Sequence, residues 1–88
     1  MLRLAIIDDE EETRQIMVNF IDWDTYGITV VGEASDGFAA YDLINSLRPD
    51  IVLIDIQMPG MTGLDVLEKI RSEDLISHAF IIMSGYAD

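Results

Sequence analysis

An 88-residue chain, half of it hydrophobic, can bury only roughly 60–65% of the surface its unfolded form exposes, enough for one small domain and no second. Seventeen Asp and Glu stand against 5 Lys and Arg, a formal charge of -12, so direct contact with nucleic acid or an anionic membrane surface is not expected. No cysteine is present, which excludes a disulfide framework and a thiolate metal site, and no apolar run reaches the ~18 residues of a transmembrane helix.

Apolar runs of strand length alternate with stretches of helical period. Leu2 to Ile7 is nearly continuous and closed by acids, as in a strand covered on both faces. Asp8 and Asp9 also interrupt this run before it reaches signal-peptide length, so the chain reads as an intracellular, soluble domain. From Glu11 to Asp22, Ile16, Met17, Phe20 and Ile21 recur at helical spacing, with Glu11, Glu12, Arg14, Gln15 and Asn19 on the other face. The sequence Thr25-Tyr26-Gly27 turns the chain into a β-branched strand, Ile28 to Ala34. Ser35-Asp36-Gly37 caps a second helix, with Ala40, Ile44 and Leu47 in one stripe, which ends before Pro49. Ile51 to Ile54 is a purely aliphatic strand. A loop holding Pro59, Gly60 and Gly63 leads into a third helix. There Leu64, Leu67 and Ile70 are expected to face inward, and Asp65 and Lys69 to pair at i,i+4. Phe80 to Met83 is a fourth strand, His78 before it a surface residue. The alternation predicts a parallel α/β sheet with right-handed crossovers.

In such a sheet the C-terminal ends of neighbouring strands share one crevice, so Asp8, Asp9 and Asp55 are expected to converge. Carboxylates crowded together repel one another, and a hard, oxygen-seeking cation such as Mg2+ is the usual remedy. Taken alone, the acids from Asp8 to Glu12 are more often the solvated start of a helix than metal ligands, and Ser84 more often an ordinary turn residue; Asp55 with its Pro-Gly loop, and the place of Ser84 directly after the fourth strand, reverse those readings. Met17, Phe20 and Trp23 read as helix packing.

Three ordered motifs carry a resemblance: Ile-Ile-Asp-Asp-Glu from Ile6, Leu-Ile-Asp-Ile-Gln-Met-Pro-Gly-Met-Thr-Gly from Leu53, and Ile-Met-Ser-Gly-Tyr from Ile82. Together they resemble the receiver domain of two-component response regulators. The stretch from Ile21 to Ala34 is further similar to receivers fused to arabinose-regulator-type DNA-binding domains. The resemblance implies a flavodoxin-like α/β fold, here with four strands in the order 2-1-3-4 and three helices. It implies that Asp55 accepts a phosphoryl group from a sensor histidine kinase and that Mg2+ is held by Asp9, by Asp8 mainly through water, by Asp55 and by the main-chain carbonyl of Gln57. Ser84 would hydrogen-bond the phosphoryl group and act in the switch, and Pro59 and Gly60 would shape the loop after Asp55. The partners implied are the kinase and an output domain that binds DNA, in the cytoplasm.

A haloacid-dehalogenase-type hydrolase, the nearest enzymatic rival, needs Asp-x-Asp, whereas this chain has Asp55-Ile56-Gln57 and so lacks the second acid. No G-x-G-x-x-G or G-x-x-x-x-G-K-[ST] occurs for nucleotide binding. Against the family pattern, residues 1–88 are expected to be an N-terminal portion lacking the fourth helix, fifth strand and fifth helix, and with them the strand lysine that pairs with the acidic pocket. Lys69 lies in a helix and cannot replace it. A non-signalling fragment that self-associates through the exposed side of its fourth strand is the alternative reading.

Overall fold

The structure, a computed structural model, describes residues 1–73 and the strand at 80–84. The element order is β1 (Leu2–Ile7), α1 (Glu11–Phe20), a 3-10 turn (Trp23–Tyr26), β2 (Ile28–Ala34), α2 (Gly37–Leu47), β3 (Ile51–Asp55), α3 (Gly63–Ser72) and β4 (Phe80–Ser84). His78 and the segment 85–88 lie outside the described residues, as do the side chains of β4. All pairings are parallel and the strand order is β2-β1-β3-β4, as the alternation predicts.

Register builds the crevice. Ile7 pairs with Ile54, so Asp8 and Asp55 are the next residues on neighbouring strands, and Asp55 in turn pairs with Ser84. On the other side of β1, β2 carries one extra residue. Leu4 pairs with Val30 but Ala5 with Gly32, so Val31 bulges with added local twist, and the two strands end together at Ile7 and Ala34.

α2 and α3 pack on each other over one face of the sheet. Their core joins Ile7, Ala34, Ala40, Ile44, Val52, Ile54, Val66 and Ile70 with Met58 from the loop after β3. Strand alternation sends Leu4 and Ile6 to the opposite face, where they are also fully buried. β3 is covered less evenly: Val52 and Ile54 are buried, Ile51 and Leu53 only half-buried.

Three expectations about helix faces need correction. In α3 the inward side is Val66 and Ile70 with Leu67 partly covered, while Leu64 is 56% exposed. The helix begins at Gly63, so Leu64 falls in its first turn. Asp65 does not pair with Lys69. Its carboxylate accepts the Thr62 N–H at 3.0 Å while the Thr62 hydroxyl accepts the Asp65 N–H at 3.2 Å, a reciprocal N-terminal cap. Lys69 turns instead to Glu73 at 3.5 Å and lies 4.7 Å from the centre of the Tyr41 ring, whose hydroxyl donates to Glu73 at 2.5 Å. In α1 it is Arg14, Gln15, Met17 and Val18 that are half-covered, and Phe20 and Ile16 stand in solvent at 82% and 55% exposure. Trp23 does pack as expected, its indole N–H donating to the Met17 carbonyl at 2.9 Å.

Candidate metal centre

Asp8 ends β1 as its backbone leaves the ladder, with its N–H donating to the Ala34 carbonyl of β2 at 3.1 Å. Its side chain is 6% exposed, and one carboxylate oxygen accepts the Glu10 N–H at 2.9 Å. Asp9 is exposed and Asp55 half-buried. Asp55 Oδ1 accepts the Gln57 N–H at 3.0 Å, a local turn that bends the chain away from β3 immediately after the acid.

The loop from Ile56 to Gly63 is closed by a hydrogen bond of 3.1 Å from the Gly63 N–H to the Ile56 carbonyl. Met58 plugs it into the core at 4% exposure, and Gly60 has φ 79, a left-handed conformation that a side chain would strain. Gly37, at the start of α2, is needed for a different reason. A Cβ there would lie 2.5 Å from the Met61 carbonyl oxygen, so helix and loop approach each other backbone to backbone. The loop is therefore pressed between the α2 N-terminus and the core, which holds Asp55 and Gln57 in place.

Asp8, Asp9 and Asp55 each offer a carboxylate oxygen within 4.8 Å of the others. The convergence expected from the strand ends is thus present. Burial is the largest cause holding the Asp8 carboxyl above its ordinary value of 3.8; the Glu10 N–H opposes this, and the charges of Asp55, Asp9 and Glu10 add to it. An acid pushed up by burial and like charge, with two more carboxylates beside it, is a donor set suited to a hard divalent cation. Gln57 shares the turn with Asp55 and is exposed. Ser84 stands opposite Asp55 in the register; its side chain is outside the described residues.

One residue reaches the site that the sequence did not mark for it, and a neighbour shares its anchor. Arg14, expected on a solvated helix face, is 13% exposed in its side chain; its Nη1 donates to the Asp8 carbonyl at 2.7 Å and its Nε to Glu33 at 3.0 Å. Gln15 donates to the same Glu33 oxygen at 2.8 Å. The available signal was Arg14 itself, one of only five basic residues, set directly after a run of five acids and a threonine.

A family model described as "Response regulator receiver domain" matches residues 4–88. The chain belongs to the response regulator receiver family. It is 34% identical over all 88 residues to the transcriptional regulatory protein YesN of Bacillus subtilis, of which it covers 24%. Among solved structures, the receiver domain of a NarL response regulator from Mycobacterium tuberculosis matches with TM-score 0.86 and 34% identity, over 99% of this chain and 68% of that one. The receiver domain of AraT from Geobacillus stearothermophilus matches with TM-score 0.79 and 33% identity, over 93% of this chain and 64% of that one. The flavodoxin-like receiver fold is thereby established, as is a place among the receivers of two-component systems, signalling domains whose relatives include transcriptional regulators. The chain spans about a quarter to a third of the length of the curated relatives it matches. Among the described residues no helix is long and apolar enough to cross a membrane.

Proposed function

We propose that this receiver accepts a phosphoryl group on Asp55 from the phosphohistidine of a sensor histidine kinase and passes the change to a DNA-binding output domain in the cytoplasm. The observation that carries the reading is the trio of carboxylate oxygens within 4.8 Å at adjoining strand ends, one of them on the half-buried Asp55. The donor set fits Mg2+, which Asp9 and Asp55 would hold directly, with the Gln57 carbonyl, and Asp8 mainly through water. When bound, the ion neutralises charge on the phosphoryl oxygens.

The chain's own residues do the rest by positioning. Gln57 N–H engages Asp55 Oδ1 and leaves Oδ2 to attack phosphorus. As the new O–P bond forms, the P–N bond of the phosphohistidine breaks and the imidazole keeps the electron pair. The transfer needs positioning and electrostatics rather than a strong base. Ser84, which pairs with Asp55 in register at the end of β4, would donate its hydroxyl to a phosphoryl oxygen and shift with its loop when Asp55 is modified. The charge of -12 argues that DNA contact belongs to the output domain and not to these residues.

The test is intact-mass analysis of the full-length protein treated with a small phosphodonor and Mg2+. One acid-stable, base-labile acyl phosphate is expected, and none in Asp55→Asn. Modification that persists in that variant places the chemistry elsewhere.

A further inference from the structure

Arg14 lies outside the trio of acids, yet it is the one basic side chain among the described residues that is hydrogen-bonded to their backbone. The Asp8–Asp9 peptide is planar, so whatever fixes the Asp8 carbonyl also fixes the Asp9 N–H and the position of the Asp9 Cα, from which its side chain starts. On one side, the Asp8 N–H is tied to Ala34 of β2. On the other, the Asp8 carbonyl is tied to Arg14 of α1 at 2.7 Å. Arg14 is itself held at 3.0 Å by Glu33, a β2 residue that pairs in register with Ile6 and also receives Gln15 at 2.8 Å. The guanidinium thus joins β2, the end of β1 and α1 through a rigid fork, which a lysine ammonium cannot reproduce at two sites.

We propose that Arg14 is a positioning residue for the acidic pocket: its fork, anchored on Glu33, sets the Asp8–Asp9 peptide so that Asp9 is preorganised to bind a divalent cation. The inference rests on the proposed Mg2+ site and names what holds that site in shape. Second contacts of this kind, one step removed from the ligands, commonly decide metal affinity.

The sign of the effect separates positioning from simple charge. A guanidinium beside an acidic pocket repels a cation, so if Arg14 acted only through its charge, removing it would tighten Mg2+ binding. If it acts by positioning, removing it weakens binding.

The experiment is a calorimetric MgCl2 titration of the full-length protein, well below its melting temperature, with Arg14→Ala, Arg14→Lys, Gln15→Ala and Asp9→Asn. Arg14→Ala is expected to lose about tenfold in affinity. Arg14→Lys keeps the charge without the fork and is also expected to bind more weakly than wild type. Gln15→Ala, which loses a bond to Glu33 and leaves the Asp8 carbonyl held, is expected to bind as wild type does. Equal or tighter binding in Arg14→Ala overturns the proposal, as does full wild-type affinity in Arg14→Lys, which decides the matter if Arg14→Ala does not fold. A loss in Gln15→Ala as large as in Arg14→Ala overturns it too, since general loosening of α1 would then be the cause. Wild-type protein that binds no Mg2+, or binds it equally well as Asp9→Asn, overturns the metal site and this inference together. Asp9-dependent binding that ignores Arg14 overturns this inference alone.

Discussion

Replacing Asp8 by asparagine removes one of three carboxylates whose oxygens lie within 4.8 Å, yet keeps an amide oxygen to accept the Glu10 N–H now held at 2.9 Å. At that separation a pair of like charges costs about 3.5 kcal/mol at an effective dielectric near 20 and about 1 kcal/mol in water. Asp9 is exposed and Asp55 half-buried, and salt screens both, so a net gain of about 1–2 kcal/mol for the metal-free variant is the reasonable expectation. In a domain this small each kcal/mol moves the melting temperature by about 4–8 °C. Mg2+ reverses the order. A cation at 100 times its Kd stabilises the wild type by about 2.7 kcal/mol, and the variant, one acid poorer, gains less. Thermal scans followed by circular dichroism, with and without MgCl2, should therefore show the variant melting higher without the ion and responding less to it. The pH dependence has a definite sign. Because the folded-state pKa of Asp8 is raised above 3.8, its ionisation destabilises the native protein at neutral pH; the penalty fades as pH falls through the folded value and is gone below 3.8. The metal-free gap between variant and wild type should accordingly narrow as the pH is lowered. A variant that melts lower than wild type at pH 7 without Mg2+, or a gap that widens in acid, would refute the crowded-carboxylate account.

Asp9→Asn should lose most of the Mg2+-induced rise in melting temperature, and an undiminished rise would remove Asp9 from the site. Gly37→Ala drives a Cβ to 2.5 Å from a backbone oxygen, whereas Gly32→Ala meets only the Leu43 and Leu47 side-chain ends, the nearest at 2.8 Å. Urea unfolding should show a loss of about 1–3 kcal/mol for Gly37→Ala and a clearly smaller one for Gly32→Ala; equal losses would argue against the backbone contact. Tyr41 has a pKa raised chiefly by its hydrogen bond to Glu73, so in a spectrophotometric titration Glu73→Gln should let it ionise at lower pH. As an isolated polypeptide, residues 1–88 should self-associate through β4, the edge of the described sheet, more so in high salt as acid repulsion is screened; a monomer by sedimentation at micromolar concentration contradicts this.

By itself the sequence determined the alternation of strands and helices, the parallel sheet and the three acids at its crevice, because period and strand-end position are local properties and parallel connectivity leaves few arrangements. Leu2–Ile7 and Ile28–Ala34 were legible to the residue, and the Asp36 cap of α2 is present, with the Ala39 N–H donating to its carboxylate at 2.8 Å. What periodicity could not say is which half of an amphipathic helix finds a neighbour. Ile16, Phe20 and Leu64 are apolar at helical spacing and exposed all the same, because burial depends on which element lies opposite. Ion pairs were equally undetermined. Asp65 and Lys69 sit at the favourable spacing, but the open N–H groups at the start of α3 engage Asp65 first, and Tyr41 of α2 and Glu73 draw Lys69 away. Arg14 shows the same limit within the site. Its partners, Asp8 six residues before it and Glu33 nineteen after, meet it only when β1 and β2 lie side by side and α1 folds across them, a coincidence of three elements that no local pattern encodes.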